Sequence, residues 1–309
     1  KGAKLLWRVD WPMRWAYEKV DFEPAGKDHH SQGGSFDTSK HVVEEVYGRK
    51  PPVTFRYDFI GIKGSPGKMS SSKGKVVDLQ DLLRVYQPEI VRYLFAGTRP
   101  NTEFVISFDL DVIKIYEDYD RTERIYWGVE KAKNKEVEAL ERRIYELSQV
   151  GKTPEEMPYQ VPFRHLCNLL QIHLGNIDAV LSLLPGLKPS QEARVRRRAQ
   201  CAWYWITECA PEDFRFFLRK PGELASLPEA ETNALRCLRD EVIERLDAYD
   251  SENEIAEAIY AVAQASNIEP KKLFIAAYQA LIGKDQGPRL AGFLRTLGKE
   301  KVLSILKPY

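Results

Sequence analysis

The stretch GIKGSPGKMSSSKGKVVDL, residues 61–79, sets Lys68 and Lys73 about three consecutive serines, Ser70, Ser71 and Ser72, between Gly64, Gly67 and Gly74. Glycine opens backbone conformations closed to other residues, so successive N–H groups can converge on an anion, and the two ammonium groups add compact positive charge. That is chemistry for a polyphosphate, although the same letters also compose an ordinary surface loop. A second group lies in LLWRVDWPMRW, residues 5–15, where Trp7, Trp11 and Trp15 recur every fourth position among Arg8, Asp10 and Arg14. Trp7 and Trp11 then share a face on which an alkyl stem with a cationic head can stack. Trp15 reads as a core anchor. A third group is FEPAGKDHH, residues 22–30, in which Gly26 would let the chain turn tightly after a strand. There Asp28 can accept hydrogen bonds from a ribose or an ammonium group, and His29 lies beside it in a cleft. The bland alternative for GKDHH is a polar turn.

Elements of two kinds must hold these residues. Up to about residue 115, the apolar or aromatic runs KLLWRV, VDFEPAG, FRYDFIGI (with Tyr57), KVVDL and FVISFDL alternate with the helical stretches FDTSKHVVEEVYG and LQDLLRVYQPEIVRYLFAG. The runs ending in Gly or Asp predict strands of a mostly parallel sheet. Beyond that point helical periodicity dominates. Leu166, Leu169, Leu170, His173, Ile177, Leu181 and Leu184 form one stripe, and Leu235, Leu238, Val242, Leu246 and Tyr249 another, each predicting an amphipathic helix. Proline-rich punctuation separates the helical blocks. The expected organisation is α/β over 1–115, a helical connector over 116–187 and an all-helical domain over 188–309.

Composition narrows the function classes. At 309 residues and 43% apolar the chain can bury two or three cores, which excludes disorder. A formal net charge of +1 gives no global field for nucleic acid, so any such contact must be a local patch. Cys167, Cys201, Cys209 and Cys237 form no CxxC pair, which argues against zinc and against a disulfide framework; no protein-bound metal is expected. A reducing, cytoplasmic location fits that usage. No run approaches the roughly 18 to 20 apolar residues needed to span a bilayer, so no membrane partner is expected. The chain opens on Lys1, from which we expect that the beginning of the protein is missing.

The letters KMSSS at 68–72 resemble the KMSKS signature of class I aminoacyl-tRNA synthetases, with Ser71 where the second lysine usually stands. LLWRVDWPMRW, then FEPAGKDHHSQGGSFDTSKHV (22–42), then KMSSSKG are similar in order and spacing to the class I, archaeal-type lysyl-tRNA synthetases over the first 120 residues. The terminal KKLFIAAYQALIGKDQGPRLAGFL resembles the helical domain that ends that family. The resemblance implies the second half of a Rossmann-type catalytic domain, a stem-contact-like connector and an α-helix cage that receives the anticodon. It implies ATP with Mg2+, lysine and tRNA(Lys) as substrates and partners. Lys68, Ser70, Ser71 and Lys73 would be catalytic, with Lys68 the principal cation. Gly26, Asp28, Lys68, Met69, Ser70, Ser71 and Ser72 would bind ATP, and Trp7, Asp10, Trp11, His29 and Tyr57 would bind lysine.

The family's HIGH-type motif does not occur in residues 1–60, so the chain is expected to be a fragment, inactive by itself. QIHLGN at 171–176 is a decoy in spelling: it falls a hundred residues too late, inside a predicted helix whose apolar stripe takes His173 as a packed core histidine. Further on, Arg194, Arg196, Arg197 and Arg198 precede Trp203, Tyr204 and Trp205, a combination suited to phosphate contact and base stacking. Arg194, Arg197, Arg198 and Trp203 are the tRNA candidates. Adjacent arginines cannot all share one helix face, so a solvated basic face over an aromatic core is the competing interpretation. GPR at 287–289 is a weaker candidate that could simply cap the preceding helix. The expected function is lysine–tRNA ligation. The alternatives are a non-catalytic tRNA-binding protein with synthetase architecture, or a related synthetase for glutamate or arginine.

Overall fold

Short parallel strands and helices alternate through the first part of the computed structural model, which describes residues 4–64 and 77–309. In chain order these are α1 (Trp7–Tyr17), β1 (Ala25–Gly26), α2 (Lys27–His30), α3 (Ser35–Tyr47), β2 (Arg56–Tyr57), β3 (Ile60–Ile62), α4 (Leu79–Val85), α5 (Pro88–Ala96) and β4 (Phe104–Ile106). Helices follow: α6 (Asp111–Tyr126), α7 (Lys135–Ser148), α8 (Phe163–Ile172), α9 (Ile177–Ser182), α10 (Pro189–Tyr204), α11 (Glu229–Cys237), α12 (Glu252–Ala265), α13 (Pro270–Ile282), α14 (Leu290–Leu297) and α15 (Lys299–Leu306). The chain gathers into two compact units. One comprises 1–81, 88–107 and 132–152, the other 82–87, 108–131 and 153–309. The expected divisions after 115 and 187 both fall within continuous stretches of the second unit.

In the first unit β1 pairs with β2 in parallel, Ala25 opposite Arg56 and Gly26 opposite Tyr57, with a further parallel bridge between Phe22 and Val53. β3 pairs with β4 in parallel, Ile60 opposite Phe104. KLLWRV does not make a strand. Its tryptophans recur at the helical period and Asp10 pairs with Arg14 at i,i+4 (2.9 Å), so the segment enters α1 at Trp7. α1 packs on α3 through Trp11, Trp15, Phe36 and Val43, all buried together with Ala25. Gly48, in the left-handed region at φ 59°, ends α3 by donating its N–H to the Glu44 carbonyl. Of KVVDL, Lys75 and Val76 lie outside the described residues, and the described end starts a helix. Asp78 and Asp81 each accept the other's N–H, at 2.9 and 3.2 Å, at the head of α4.

In the second unit aromatic stacking holds α6 against α8, and a hydrogen bond ties the segment ahead of α6 to the residue that follows α10. Tyr116 lies 3.8 Å from Phe163 between ring centroids, and the Trp205 indole N–H donates to the Phe108 carbonyl at 2.9 Å. The single helix expected across 166–184 is two. α8 ends at Ile172, the chain turns through Leu174 (φ 51°) and Gly175 (φ 78°), and the Asn176 side chain caps α9. Gly175 is obligatory twice over, because any Cβ would also collide with the Trp203 indole. His173 is therefore a half-buried residue at a helix end, not a core histidine. The stripe from Leu235 to Leu246 is buried as expected, but the α-helical turn gives way to π-helical Leu238–Val242 and 3₁₀ Ile243–Ala248. GPR does not cap the helix before it, since Gly283 (φ 69°) already ends α13. It leads into α14, and Gly287 packs so closely on Tyr278 and Ile282 that a Cβ would lie 2.9 Å from either.

Candidate active site

Most of the residues singled out around GKDHH do come together. α2 starts at the carboxyl end of β1, the place where ligands enter parallel sheets. Trp7 and Trp11 stack at 5.1 Å between centroids with planes 26° apart, and Trp11 meets His29 edge-on at 5.5 Å. A Cβ on Gly26 would sit 3.5 Å from the Tyr57 ring and 3.9 Å from Cδ2 of His29, so these two rings flank the bare Cα. Trp11 is buried, whereas Trp7 and Tyr57 are about half exposed, at 49% and 45%. The result is an aromatic wall running from Trp7 through Trp11 and His29 to Tyr57. Asp10 is engaged within α1 by Arg14. Asp28 is exposed, and its carbonyl accepts the Ser31 hydroxyl at 2.7 Å.

The tight turn expected at Gly26 is made elsewhere. Gly26 is in ordinary extended backbone, φ −63° and ψ 155°. Gly33 takes φ 71°, and Gly34 lies so close under the preceding turn that a Cβ would fall 2.5 Å from the His29 carbonyl oxygen and 2.7 Å from that of Ser31. Consecutive glycines just before a helical run were the available signal. His30 is spent on architecture: its ring nitrogens lie 3.2 Å from the Gly26 carbonyl and 3.0 Å from Thr54 Oγ1, and the ring stacks on Phe36 at 4.6 Å. His29 has Nδ1 2.6 Å from the Ser35 hydroxyl, and Nε2 has no hydrogen-bond partner among the described residues.

Lys27 was not among the candidates, yet it ties the site together. Its Nζ lies 2.5 Å from Asp58, 3.6 Å from Glu103 and 4.6 Å above the Phe59 ring. The hydrogen bond to Asp58 lifts the Lys27 ammonium above its ordinary range. The same bond, helped by the Phe59 N–H, holds the Asp58 carboxyl below its own. Nothing near Lys27 in sequence signals partners so far along the chain.

Lys68, Met69, Ser70, Ser71, Ser72 and Lys73 lie outside the described residues. The arginine cluster, in the second unit, divides as helix geometry requires. Arg198 is 5% exposed and grips Asp120 with two hydrogen bonds, at 2.8 and 2.6 Å, above the Tyr116 ring. It cannot reach a phosphate, and the tRNA contact expected of it is corrected to a buried ion pair. Burial pushes the Asp120 carboxyl above its ordinary range, against the pull of the guanidinium. Arg194 binds the fully buried Glu123 at 2.8 Å, and Arg196 bridges Asp178 and Glu192. Arg197 is exposed and donates to the Leu83 carbonyl. Trp203 is half buried, with its indole against Gly175.

Residues 1–151 match the family of class I tRNA synthetases (K), and residues 208–308 match the anticodon-binding domain family. Residues 1–151 are thus similar to the class I tRNA synthetase domain, and residues 208–308 to an anticodon-binding domain. Relatives that the chain matches include lysine–tRNA ligases. That of Treponema pallidum is 56% identical over 309 residues, 100% of this chain and 58% of its own length. Borreliella burgdorferi has one 51% identical, with 100% and 59% covered, and Thermococcus kodakarensis one 44% identical, with 99% and 59% covered. The chain thus spans less than two thirds of the length of these relatives. No helix among the described residues is long and apolar enough to cross a membrane.

Proposed function

We propose that the whole protein is a lysine–tRNA ligase of the class I type. The observation that carries this is 56% identity along the entire chain with a lysine–tRNA ligase, supported by an aromatic wall suited to a long alkyl stem with a cationic head. In the proposed reaction a lysine carboxylate oxygen attacks the α-phosphorus of Mg-ATP and pyrophosphate leaves. The terminal ribose hydroxyl of tRNA(Lys) then attacks the lysyl carbonyl and AMP leaves. No side-chain nucleophile is needed, so rate depends on positioning and on cations and N–H donors directed at the developing phosphate charge. We assign lysine to Trp7, Trp11, His29 and Tyr57, with Asp10 nearby on α1. ATP is assigned to Gly26, Asp28 and the 68–73 loop, with Lys68 as the principal cation. For tRNA we retain Arg194, Arg197 and Trp203.

In this reading residues 1–115 serve as the second half of a Rossmann-type catalytic domain, 116–187 as the connector toward the tRNA stem and 188–309 as an α-helix cage for the anticodon. Lysylation of tRNA also assigns the protein to the cytoplasm. The test is pyrophosphate exchange into ATP by the whole protein. Exchange should require lysine and fail with arginine or glutamate, because a site that binds an ammonium group rejects analogues lacking it far more strongly than neighbours one methylene shorter. Exchange driven by another amino acid, or none with any, would overturn the assignment.

A further inference from the structure

We propose that Ser35 is a positioning residue for lysine recognition, acting by fixing which nitrogen and which edge of His29 face the ligand. His29 and His30 are adjacent but differently placed. His30 has contacts at both ring nitrogens and a stacking partner, whereas His29, edge-on to Trp11, has a hydrogen-bond partner among the described residues only at Nδ1, 2.6 Å from the Ser35 hydroxyl. With Nδ1 occupied, Nε2 is the nitrogen left to a ligand. It adjoins Cδ2, which lies 3.9 Å from the Cβ position that a side chain at Gly26 would take, with the Tyr57 ring beside it at 3.5 Å. The hydroxyl therefore turns the Cδ2–Nε2 edge of the imidazole toward Gly26 and the Tyr57 ring.

The chain around Ser35 suits this role. Ser35 is the first residue of α3, which is anchored through buried Phe36, Ser39 and Val43. Gly34, pressed on the carbonyls of Asp28, His29 and Ser31, fixes the start of that helix under the histidine. The Gly33 N–H, donated to Asp37 Oδ2 at 3.1 Å, secures the same turn. Ser35 is thus delivered to His29 by backbone that has little freedom to move. A hydroxyl also suits either neutral form of the ring, since it can accept from Nδ1–H or donate to a bare Nδ1.

Ser35 has this role only if Trp7, Trp11, His29 and Tyr57 hold lysine as assigned. The test is steady-state pyrophosphate exchange by the whole protein with Ser35→Ala, Ser35→Thr, His29→Ala and the Ser35→Ala/His29→Ala pair, with a thermal melt of each. One hydrogen bond lost at a ligand-facing ring predicts that Ser35→Ala raises lysine KM about five- to tenfold, with ATP KM, kcat and melting midpoint nearly unchanged. Ser35→Thr, which keeps the hydroxyl, should stay within about twofold of the parent. In the His29→Ala background the further loss of the hydroxyl should have no effect, because the two groups act as one. If His29→Ala raises lysine KM and Ser35→Ala does not, Ser35 has no such role while the lysine site stands. Equal effects of Ser35→Ala in both backgrounds would likewise remove the role and leave the site. If His29→Ala itself leaves lysine KM untouched, the lysine site and the role of Ser35 fall together.

Discussion

On the proposed assignment, removing the imidazole of His29, or the indole of Trp7, should raise the lysine KM of the whole protein several-fold more than its ATP KM, as measured by exchange kinetics across both substrates. Trp7 is the cleaner of the two indoles to test. It is half exposed, whereas Trp11 is buried against Trp15 and Phe36, and its truncation adds a folding cost of about 3–5 kcal/mol. On the same assignment Lys68→Ala should instead lower the single-turnover adenylation rate at least about tenfold with lysine binding little changed, because the contact proposed for it forms chiefly with transition-state charge. Equal losses in affinity and rate would show a ground-state contact. At this scale the sequence was informative where a residue's type was rare and its spacing regular, as with Trp7 and Trp11. It singled out His29 rather than His30 without being able to show that His30 is consumed by Gly26 and Thr54. Lys27 was invisible, because its carboxylate partners come from the β2–β3 and β4 approaches.

Two glycines, one in each compact unit, fix how their elements turn. Gly175→Ala must place a side chain at φ 78° and against the Trp203 indole, and we expect it to cost at least about 2 kcal/mol in urea unfolding. Gly34→Ala has an ordinary φ and is expected to act by crowding the carbonyls beneath it. The turn bearing His29 would shift, so lysine KM should rise with a smaller loss of stability. An unchanged KM in Gly34→Ala would mean that the turn can relax without moving His29. Element type was legible wherever periodicity was long and capped, as in α3 with Gly48 at its end. It failed at KLLWRV, where apolar letters suggested a strand but the i,i+4 tryptophans obeyed the helix, and at 173–176, where the stripe continued in sequence while the backbone had already turned.

For the molecule as a whole, the buried Arg198–Asp120 pair is the most consequential contact. Asp120→Ala leaves a guanidinium buried without its carboxylate, and a loss of about 3–5 kcal/mol is expected in equilibrium unfolding, against little for Arg197→Ala at the surface. For the same reason a piece starting at Lys188 should be no more stable than one starting near Pro211. It would retain Arg198 and Trp205 without Asp120, Tyr116 and Phe163, whereas the apolar cluster from Phe216 to Tyr309 lies wholly in the shorter piece. The two compact units are also interlaced along the chain, which passes between them within α4, again near 87 and 107, and again near 131 and 152. Recombination or a cloning boundary that transfers one continuous stretch can therefore carry neither unit whole without bringing part of the other. Only the length from Thr153 onward is long enough to travel as a cassette, and it would arrive needing α6 from its new host. Natural or designed chimaeras of this protein should succeed when the exchanged halves share the residues facing Arg198 and Phe163, and fail at equal overall identity when they do not.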